Sequence, residues 1–448
     1  MRGEHHAAAA GGLGGSLAGF GEILRIRDFR LLFVGQAASA LGDWVGTLAF
    51  IAAADHLAPD RPAAVAVVLI LRLLPSFFAT PIGGVLSDRW DRKRLMVASD
   101  LIRFGIIALV PFVPKLGVLY ALAFGQEIFS LFFLPARDAS LPNLVPKERL
   151  EPANALIMGS SFGAIPLSGP IFALLALAGA HFPSSLPGAF VFHERPWAFA
   201  FAFDALTFLV SAWLIQRMTL PDREPDGQET PPMLDAARQG ARYVMERPLL
   251  RGLAAAVSFG MLGGGVLFAL GIGYVHDTLG GGNVEFGWLM GLFGAGMVLG
   301  FVISQAVRHS VIGSVRASLL AMGAILAFMA VFATLWIAYL TAVGFGAAFS
   351  VSLIVAMSAV QAHAADAFRG RVMGFVHMLV RGALSVGALV SAGVASLVGE
   401  RGLGFAGADL DKNQFALLVA GGLIGAGSVS VRRAGAGVAE AANPQEAG

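Results

Sequence analysis

Residues 83–94 read Gly-Gly-Val-Leu-Ser-Asp-Arg-Trp-Asp-Arg-Lys-Arg, and a long apolar stretch lies on each side of them. Seven consecutive residues in this segment, 88–94, contain six charged side chains. Few soluble folds place so many charges in a turn between stretches that water would reject. A short basic loop between two bilayer-spanning helices accounts for both features, because cytoplasmic loops of membrane proteins are rich in Lys and Arg.

The composition of the whole chain agrees with a membrane protein. The 448 residues are 56% hydrophobic and 13% charged, whereas an ordinary soluble domain carries about 25% charged residues. The net charge of +2 gives no reason to expect a nucleic-acid partner. The absence of cysteine excludes disulfides, thiol nucleophiles and cysteine metal sites. We therefore predict an all-α membrane protein that contacts the lipid bilayer over most of its length.

Hydrophobic runs predict twelve spans, since a membrane-crossing helix needs about 20 apolar residues. The first six are Leu31–Ala54, Ala63–Ser87, Leu95–Val113, Val118–Ala136, Ala153–Ala180 and Trp197–Arg217. The second six are Leu249–His276, Phe286–Val307, Val315–Ala333, Trp336–Gln361, Arg371–Val398 and Gln414–Val431. The boundary between the ninth and tenth spans is weak near Thr334, so eleven spans remain possible on pattern alone.

A polar linker divides the spans into two sets of six. Residues 219–247 contain four prolines, and Leu234–Glu246 has the apolar spacing of an amphipathic surface helix. Six spans on each side of a linker is the layout of transporters with internal repeats. We predict two pseudo-symmetric six-helix bundles, residues 29–218 and 248–431. They follow a cytoplasmic N-terminal segment, residues 1–28, and precede a cytoplasmic tail, residues 432–448.

Lys and Arg residues predict the orientation. With both termini in the cytoplasm, 23 of the 31 Lys and Arg residues fall in inner segments and five in outer loops. This asymmetry favours the cytoplasm for both ends. The Ala/Gly-rich residues 1–19 and 432–448 are expected to be disordered, and no cleavable signal peptide is expected.

The charged loop at 83–94 and the two sets of six spans resemble the major facilitator superfamily, and within it the bacterial drug-exporter branch that includes macrolide and siderophore exporters. The superfamily's loop signature is matched by Gly84, Asp88, Arg89, Arg92, Lys93 and Arg94, followed by Ser99–Arg103. Further stretches similar to the branch are 29–43, 134–146, 153–156, 204–211 and 366–372. The antiporter pattern of the fifth span is present only in part, as Gly159, Gly163, Gly169 and Pro170. The second-half counterpart of the loop, 304–316, lacks the Gly/Asp pattern.

The resemblance implies a conformational gate at the basic loop. It implies that Asp88 caps a helix of the other half when the inside is closed, a contact that exists in only one of two conformations. The gate residues are expected to be Gly84, Asp88, Arg89, Arg92 and Asp100. The alternative is a solvated basic turn that only fixes topology.

Charged residues inside spans supply the other candidates, because intramembrane charges are costly and tend to be functional. The candidates for proton coupling or substrate contact are Asp43, Arg72, Arg103, Glu127, Asp204 and Arg381. Asp43 and Glu127 are the leading proton-coupling candidates. The alternative for each is a static buried salt bridge, with Arg72 or Arg103 as a partner. Asp204 could equally face outer water or substrate.

The sequence contains no phosphate loop, H-E-x-x-H or G-x-S-x-G motif, so we expect a protein that is not an enzyme, with no cofactor and no metal. We predict a monomeric secondary transporter of the bacterial inner membrane. It would export small amphipathic molecules by alternating access, in exchange for protons. One alternative keeps the fold as a lysophospholipid or metabolite carrier or a uniporter. The other is a membrane receptor or assembly factor that does not transport.

Overall fold

A computed structural model describes residues 14–59, 61–73, 91–183, 194–220, 233–307, 310–365, 368–399, 403–405 and 408–442, with the single residues 75, 185 and 191. The described residues are nearly all helical. The first eight helices are α1 Gly14–Arg25, α2 Arg27–Leu57, α3 Pro62–Leu73, α4 Arg92–Leu109, α5 Leu116–Leu144, α6 Leu150–Gly163, α7 Ile165–Ala180 and α8 Ala198–Gln216. The next seven are α9 Met233–Met245, α10 Pro248–Gly273, α11 Asn283–Val307, α12 Val311–Val331, α13 Leu335–His363, α14 Arg369–Val398 and α15 Lys412–Ala442.

Eleven helical stretches of the described chain are long and apolar enough to cross a membrane. They match eleven of the twelve predicted spans, with α6 and α7 together forming one of them. The short apolar helix α3 lies at the start of the predicted second span, most of which is outside the described residues. The ninth and tenth spans are separate helices, since α12 ends at Val331 and α13 begins at Leu335, close to the weak boundary near Thr334.

The structure departs from the sequence prediction in several local features. The predicted fifth span is interrupted at Ala164, and α7 begins at Ile165 with Pro166 in its first turn, because proline cannot continue the hydrogen bonding of a preceding helix. The prediction of disorder is wrong for residues 14–19 and 432–442, which belong to α1 and α15. A two-stranded antiparallel hairpin, Leu403–Phe405 with Ala408–Leu410, was not predicted.

Contacts at helix ends define two faces of the bundle. His276, just after α10, bonds Asp55 near the end of α2, so α2 and α10 run in the same direction. Lys412, the first residue of α15, pairs with Asp277, so α15 runs in the opposite direction. The first long helix therefore starts, and the last one ends, on the same side. We call this side the terminal face, and the side with Asp55 and His276 the distal face.

The two halves of the chain meet along α7 and α11, where backbones approach closely. A Cβ atom on Gly169 would lie 2.6 Å from the Cα of Gly291, which is closer than real side chains approach. Pro170 and Pro166 pack in the same way against Gly291 and Gly294. Small residues permit this packing in membranes, where no hydrophobic effect drives helices together. The core that results is continuous across both halves.

Candidate transport site

A cavity of about 300 Å³ lies at the centre of the helices. Residues of α2, α3, α4, α5 and α6 form most of its wall, and among the described residues of the second half Phe268 and Leu384 line it. Its polar lining residues are Gln36, Ser39, Asp43, Thr47, Arg72, Arg103, Glu127, Ser130 and Ser161. The cavity therefore has a charged wall from the first half and an apolar wall from the second.

Asp43 is a carboxylate of this wall that contacts three polar side chains. Its Oδ1 accepts a hydrogen bond of 2.7 Å from the amide of Gln126 and lies 3.6 Å from the Arg72 guanidinium. Its Oδ2 lies 3.7 Å from the Arg103 guanidinium. Both ion-pair distances exceed those of a tight charge-assisted hydrogen bond. The Asp43 side chain is 30% exposed, so one carboxylate lies loosely between two cations and remains open to the cavity.

The two arginines lie deeper than Asp43, with side chains 9% and 3% exposed. The Arg72 guanidinium donates to Gln126 and lies 5.0 Å from the Phe50 ring centre. A buried cation needs such partners, because leaving water is costly for a charge. Aromatic faces also attract cations.

Arg103 is paired on its own helix. It forms an ion pair with Asp100, one turn earlier, and donates to Ser130 at 3.3 Å. Its guanidinium lies 4.8 Å from the Phe133 ring centre and 4.3 Å from that of Phe208. Asp100 is fully buried, and its pairing with Arg103 follows from the three-residue spacing that puts both side chains on one helix face.

Glu127 lines the cavity one residue beyond Gln126. Its charge interacts with that of Arg381 on α14, which does not line the cavity. The charges of Arg72 and Asp43, on the same wall, act on Glu127 more strongly than that of Arg381. Arg381 is the one charge of the second half in the interior of a predicted span, and its charge acts on the charged wall of the first half.

Asp204 lies apart from the cavity lining. It is fully buried, and its carboxyl packs over Gly42 and Gly46 of α2. The prediction that it faces outer water or substrate does not describe this position, because α2 covers it. The glycines opposite leave the space that the carboxyl occupies.

The gate residues are described only in part. Gly84, Asp88 and Arg89 lie outside the described residues. Arg92, the first residue of α4, donates a 2.5 Å hydrogen bond to the backbone oxygen of Ala139 in α5. Asp100 is paired with Arg103 beside the cavity rather than with the basic loop residues that the structure describes.

Comparisons with known proteins agree with this architecture. Residues 32–388 match the Major Facilitator Superfamily. The chain belongs to this superfamily. Its family and its solved structural neighbours are transporters, not enzymes.

Two relatives have names that differ in how much they say. The "Uncharacterized MFS-type transporter YfiS" of Bacillus subtilis (strain 168) is 29% identical over 62% of this chain, and the match spans 63% of the relative's own length. The "Enterobactin exporter EntS" of Escherichia coli O1:K1 / APEC is 27% identical over 66% of this chain and 68% of its own length.

Solved structures share the fold at low sequence identity. A bacterial homologue of the human lysosomal transporter Spinster, in an inward-facing and unoccupied conformation, has a TM-score of 0.68 at 15% identity, covering 93% of this chain and 96% of its own. The nucleoside transporter NupG has a TM-score of 0.66 at 14% identity, covering 90% and 98%. These likenesses show the fold alone.

Sequence reasoning missed two residues of this superfamily member's site: Gln126, which is buried behind the cavity wall, and Trp44, which lines the cavity. Gln126 joins Asp43 to Arg72, although it carries no charge. Trp44 donates to the backbone oxygen of Ser161 at 3.1 Å and stacks on Phe268, with ring centres 6.3 Å apart. A glutamine in an apolar span is itself a signal, because polar side chains in a bilayer need partners. No such signal marks Trp44, since aromatic residues are common in spans.

Proposed function

We propose that this chain is a proton-coupled antiporter that exports small amphipathic molecules across the bacterial inner membrane by alternating access. The observation that carries the proposal is the position of Asp43, a carboxylate open to a central cavity and loosely held between two arginines. The exporter relative supports the direction of transport.

The proposed architecture has twelve membrane helices in two six-helix bundles, residues 29–218 and 248–431. Eleven candidate spans are present in the described part of the chain, and α3 begins a further apolar stretch. The shared terminal face supports an even number of crossings. A twelfth span that starts with α3 satisfies this requirement.

The terminal face is proposed to be cytoplasmic. Arg27 and Arg30 at the start of α2, Arg92 and Arg94 at the start of α4 and Arg217 at the end of α8 belong to this face. Cytoplasmic segments carry such an excess of arginine. The distal face would then meet the outer compartment, where the Asp55–His276 hydrogen bond of 2.8 Å joins the two halves.

In the proposed mechanism, a proton and the cargo compete for the charged wall. Asp43 in its ionised form holds the two guanidinium groups, and a proton on Asp43 removes that attraction. The guanidinium groups then rearrange, which favours a different packing of the two halves. Glu127 would report this change to the second half through Arg381. The apolar residues Trp44, Phe268 and Leu384 would contact the apolar part of the cargo.

The gate remains a proposal on the resemblance to the superfamily signature. In the conformation that is closed at the terminal face, the gate would be formed by Gly84, Asp88, Arg89 and Arg92, with Asp100 behind them. Asp88→Asn should shift cysteine-crosslinking populations toward the state open at the terminal face. An unchanged population would reduce Asp88 to a marker of topology.

The test of export is an efflux assay with a panel of amphipathic dyes, in cells with and without an uncoupler. Wild-type protein should lower dye accumulation, and the uncoupler should remove the effect. Asp43→Asn should lose the uncoupler-sensitive part. Thr47→Val is the matched control, because Thr47 lines the same cavity and its hydroxyl bonds only to the Asp43 backbone. Normal, pH-dependent transport by Asp43→Asn would refute the role of Asp43, and unchanged accumulation of every dye would favour a protein that does not transport.

A further inference from the structure

One face of α8 is built around a carboxyl group that the cavity does not use. Asp204, Thr207, Phe208 and Ser211 recur at the spacing of a single helix face. Asp204 packs over Gly42 and Gly46, Thr207 packs over Gly42, and Ser211 packs over Gly35. A Cβ atom on Gly42 would lie 2.7 Å from the Asp204 Oδ1 atom. The glycines of α2 therefore form a cradle for a carboxyl group.

The carboxyl of Asp204 lacks partners in that cradle. Asp204 is 0% exposed, and among the described residues neither of its carboxyl oxygens has a hydrogen-bond partner. An ionised carboxylate in such surroundings is disfavoured, because it has lost water without gaining a hydrogen bond, and the charges of Arg72 and Arg103 offset that loss only in part. A neutral carboxylic acid carries no such penalty. The packing thus selects the protonated form.

The charged groups around Asp204 are already committed to one another. Asp43 lies in the same turn of α2 as the cradle, Arg72 contacts Asp43 and Gln126, and Arg103 pairs with Asp100. The α7 segment, which also packs on α8, has no charged residue. Asp204 and Asp43 would carry like charges if both were ionised. Two neighbouring carboxylates avoid this repulsion when one of them holds a proton.

We propose that Asp204 is a second proton-binding site, outside the cavity, which holds its proton while Asp43 is ionised. When a proton or a cationic group neutralises Asp43, an ionised Asp204 no longer faces the repulsion of a second carboxylate. Asp204 then releases its proton more easily. The occupancy of the two sites is then linked through α2. The part of this inference that concerns the transport cycle rests on the proposed function, whereas the proton on Asp204 does not.

Infrared spectroscopy of the full-length protein in lipid nanodiscs tests the site directly. At neutral pH, the wild-type protein should show the C=O stretch of a protonated carboxylic acid that exchanges slowly with deuterium. Labelling the aspartates with ¹³C should shift this band, which assigns it to aspartate in the wild type itself. The band should be absent at every pH from Asp204→Asn, whose side chain has the shape of the protonated acid, and present in Asp43→Asn at acidic pH.

The pH at which the band disappears tests the link between the sites. Asp43→Asn removes the like charge, so the Asp204 band should disappear at lower pH than in the wild type. If the band disappears at the same pH in Asp43→Asn and in the wild type, the link is overturned. A wild-type spectrum without a protonated-aspartate band would overturn the site, and this readout does not depend on the folding of Asp204→Asn. Because the readout needs no transport, a band at Asp204 together with failed dye efflux would refute the antiporter proposal alone.

Discussion

The two halves of the chain divide the intramembrane charges very unequally. Six of the seven charged residues in the interiors of the predicted spans, away from the span ends, belong to the first half, and Arg381 is the one in the second. The helices of the second half pack closely through glycines without such charges, as where Gly323 meets Gly421 and Gly346 meets Phe293. Under the proposed antiport, the first half would hold the charges for coupling, and the closely packed second half would move against it.

The strongest way to break this contrast is to remove Arg103. Its loss leaves Asp100 buried without its ion-pair partner, and breaking a buried pair costs about 3–5 kcal/mol. Arg103→Met should therefore lower the thermal stability in detergent severely, and Arg381→Met, in the second half, should lower it much less. Equal losses in the two variants would contradict the division of charge between the halves.

A smaller effect tests the packing of the second half. A Cβ atom on Gly421 would lie 2.6 Å from the backbone oxygen of Gly323. A Cβ atom on the next residue, Gly422, would lie more than 4 Å from every atom of the neighbouring described elements. Gly421→Ala should destabilise by about 1–3 kcal/mol. Gly422→Ala should be neutral or stabilise by about 0.5–1 kcal/mol, because alanine favours helices. Thermal unfolding in detergent compares the two, and similar values would show that α12 and α15 do not approach closely.

The smallest effect is expected at the distal face. The Asp55–His276 pair is partly exposed, with side chains 19% and 25% exposed, and joins the two halves. Asp55→Asn should weaken closure by about 1 kcal/mol, a roughly fivefold population shift. Crosslinking of a cysteine pair placed across the distal face measures that population. Asp138→Asn is a control, since Asp138 bonds Arg137 within α5, and an effect in both variants would remove the distal pair from the account.

Much of the fold could be predicted because a bilayer imposes a simple rule. Twenty apolar residues make a span, so the helices from α10 to α14 were predicted within a few residues at most ends. The same rule singled out Asp43, Arg72 and Arg103 as candidates, because a charged side chain inside an apolar run is costly in a bilayer. The hairpin at 403–410 was missed because strands of three residues give no periodic pattern.

The arrangement of the site could not be predicted in the same way. Asp204 and Asp43 look alike in the sequence, each a single acid in an apolar run. Only the contact of α8 with α2 shows that one lies over glycines while the other faces a cavity. The role of Gln126 between Asp43 and Arg72 likewise depends on the packing of α5 against α3, which no spacing within one helix reveals.

Proton movement driven by cargo tests the central claim most directly. Purified protein is reconstituted in liposomes that contain a pH-sensitive dye, with no gradient imposed, and an amphipathic substrate from the efflux panel is added outside. The account predicts that substrate entry moves protons outward and raises the internal pH for wild type and Thr47→Val, with no change for Asp43→Asn. Substrate entry without proton movement in the wild type, or proton movement that persists in Asp43→Asn, would contradict it.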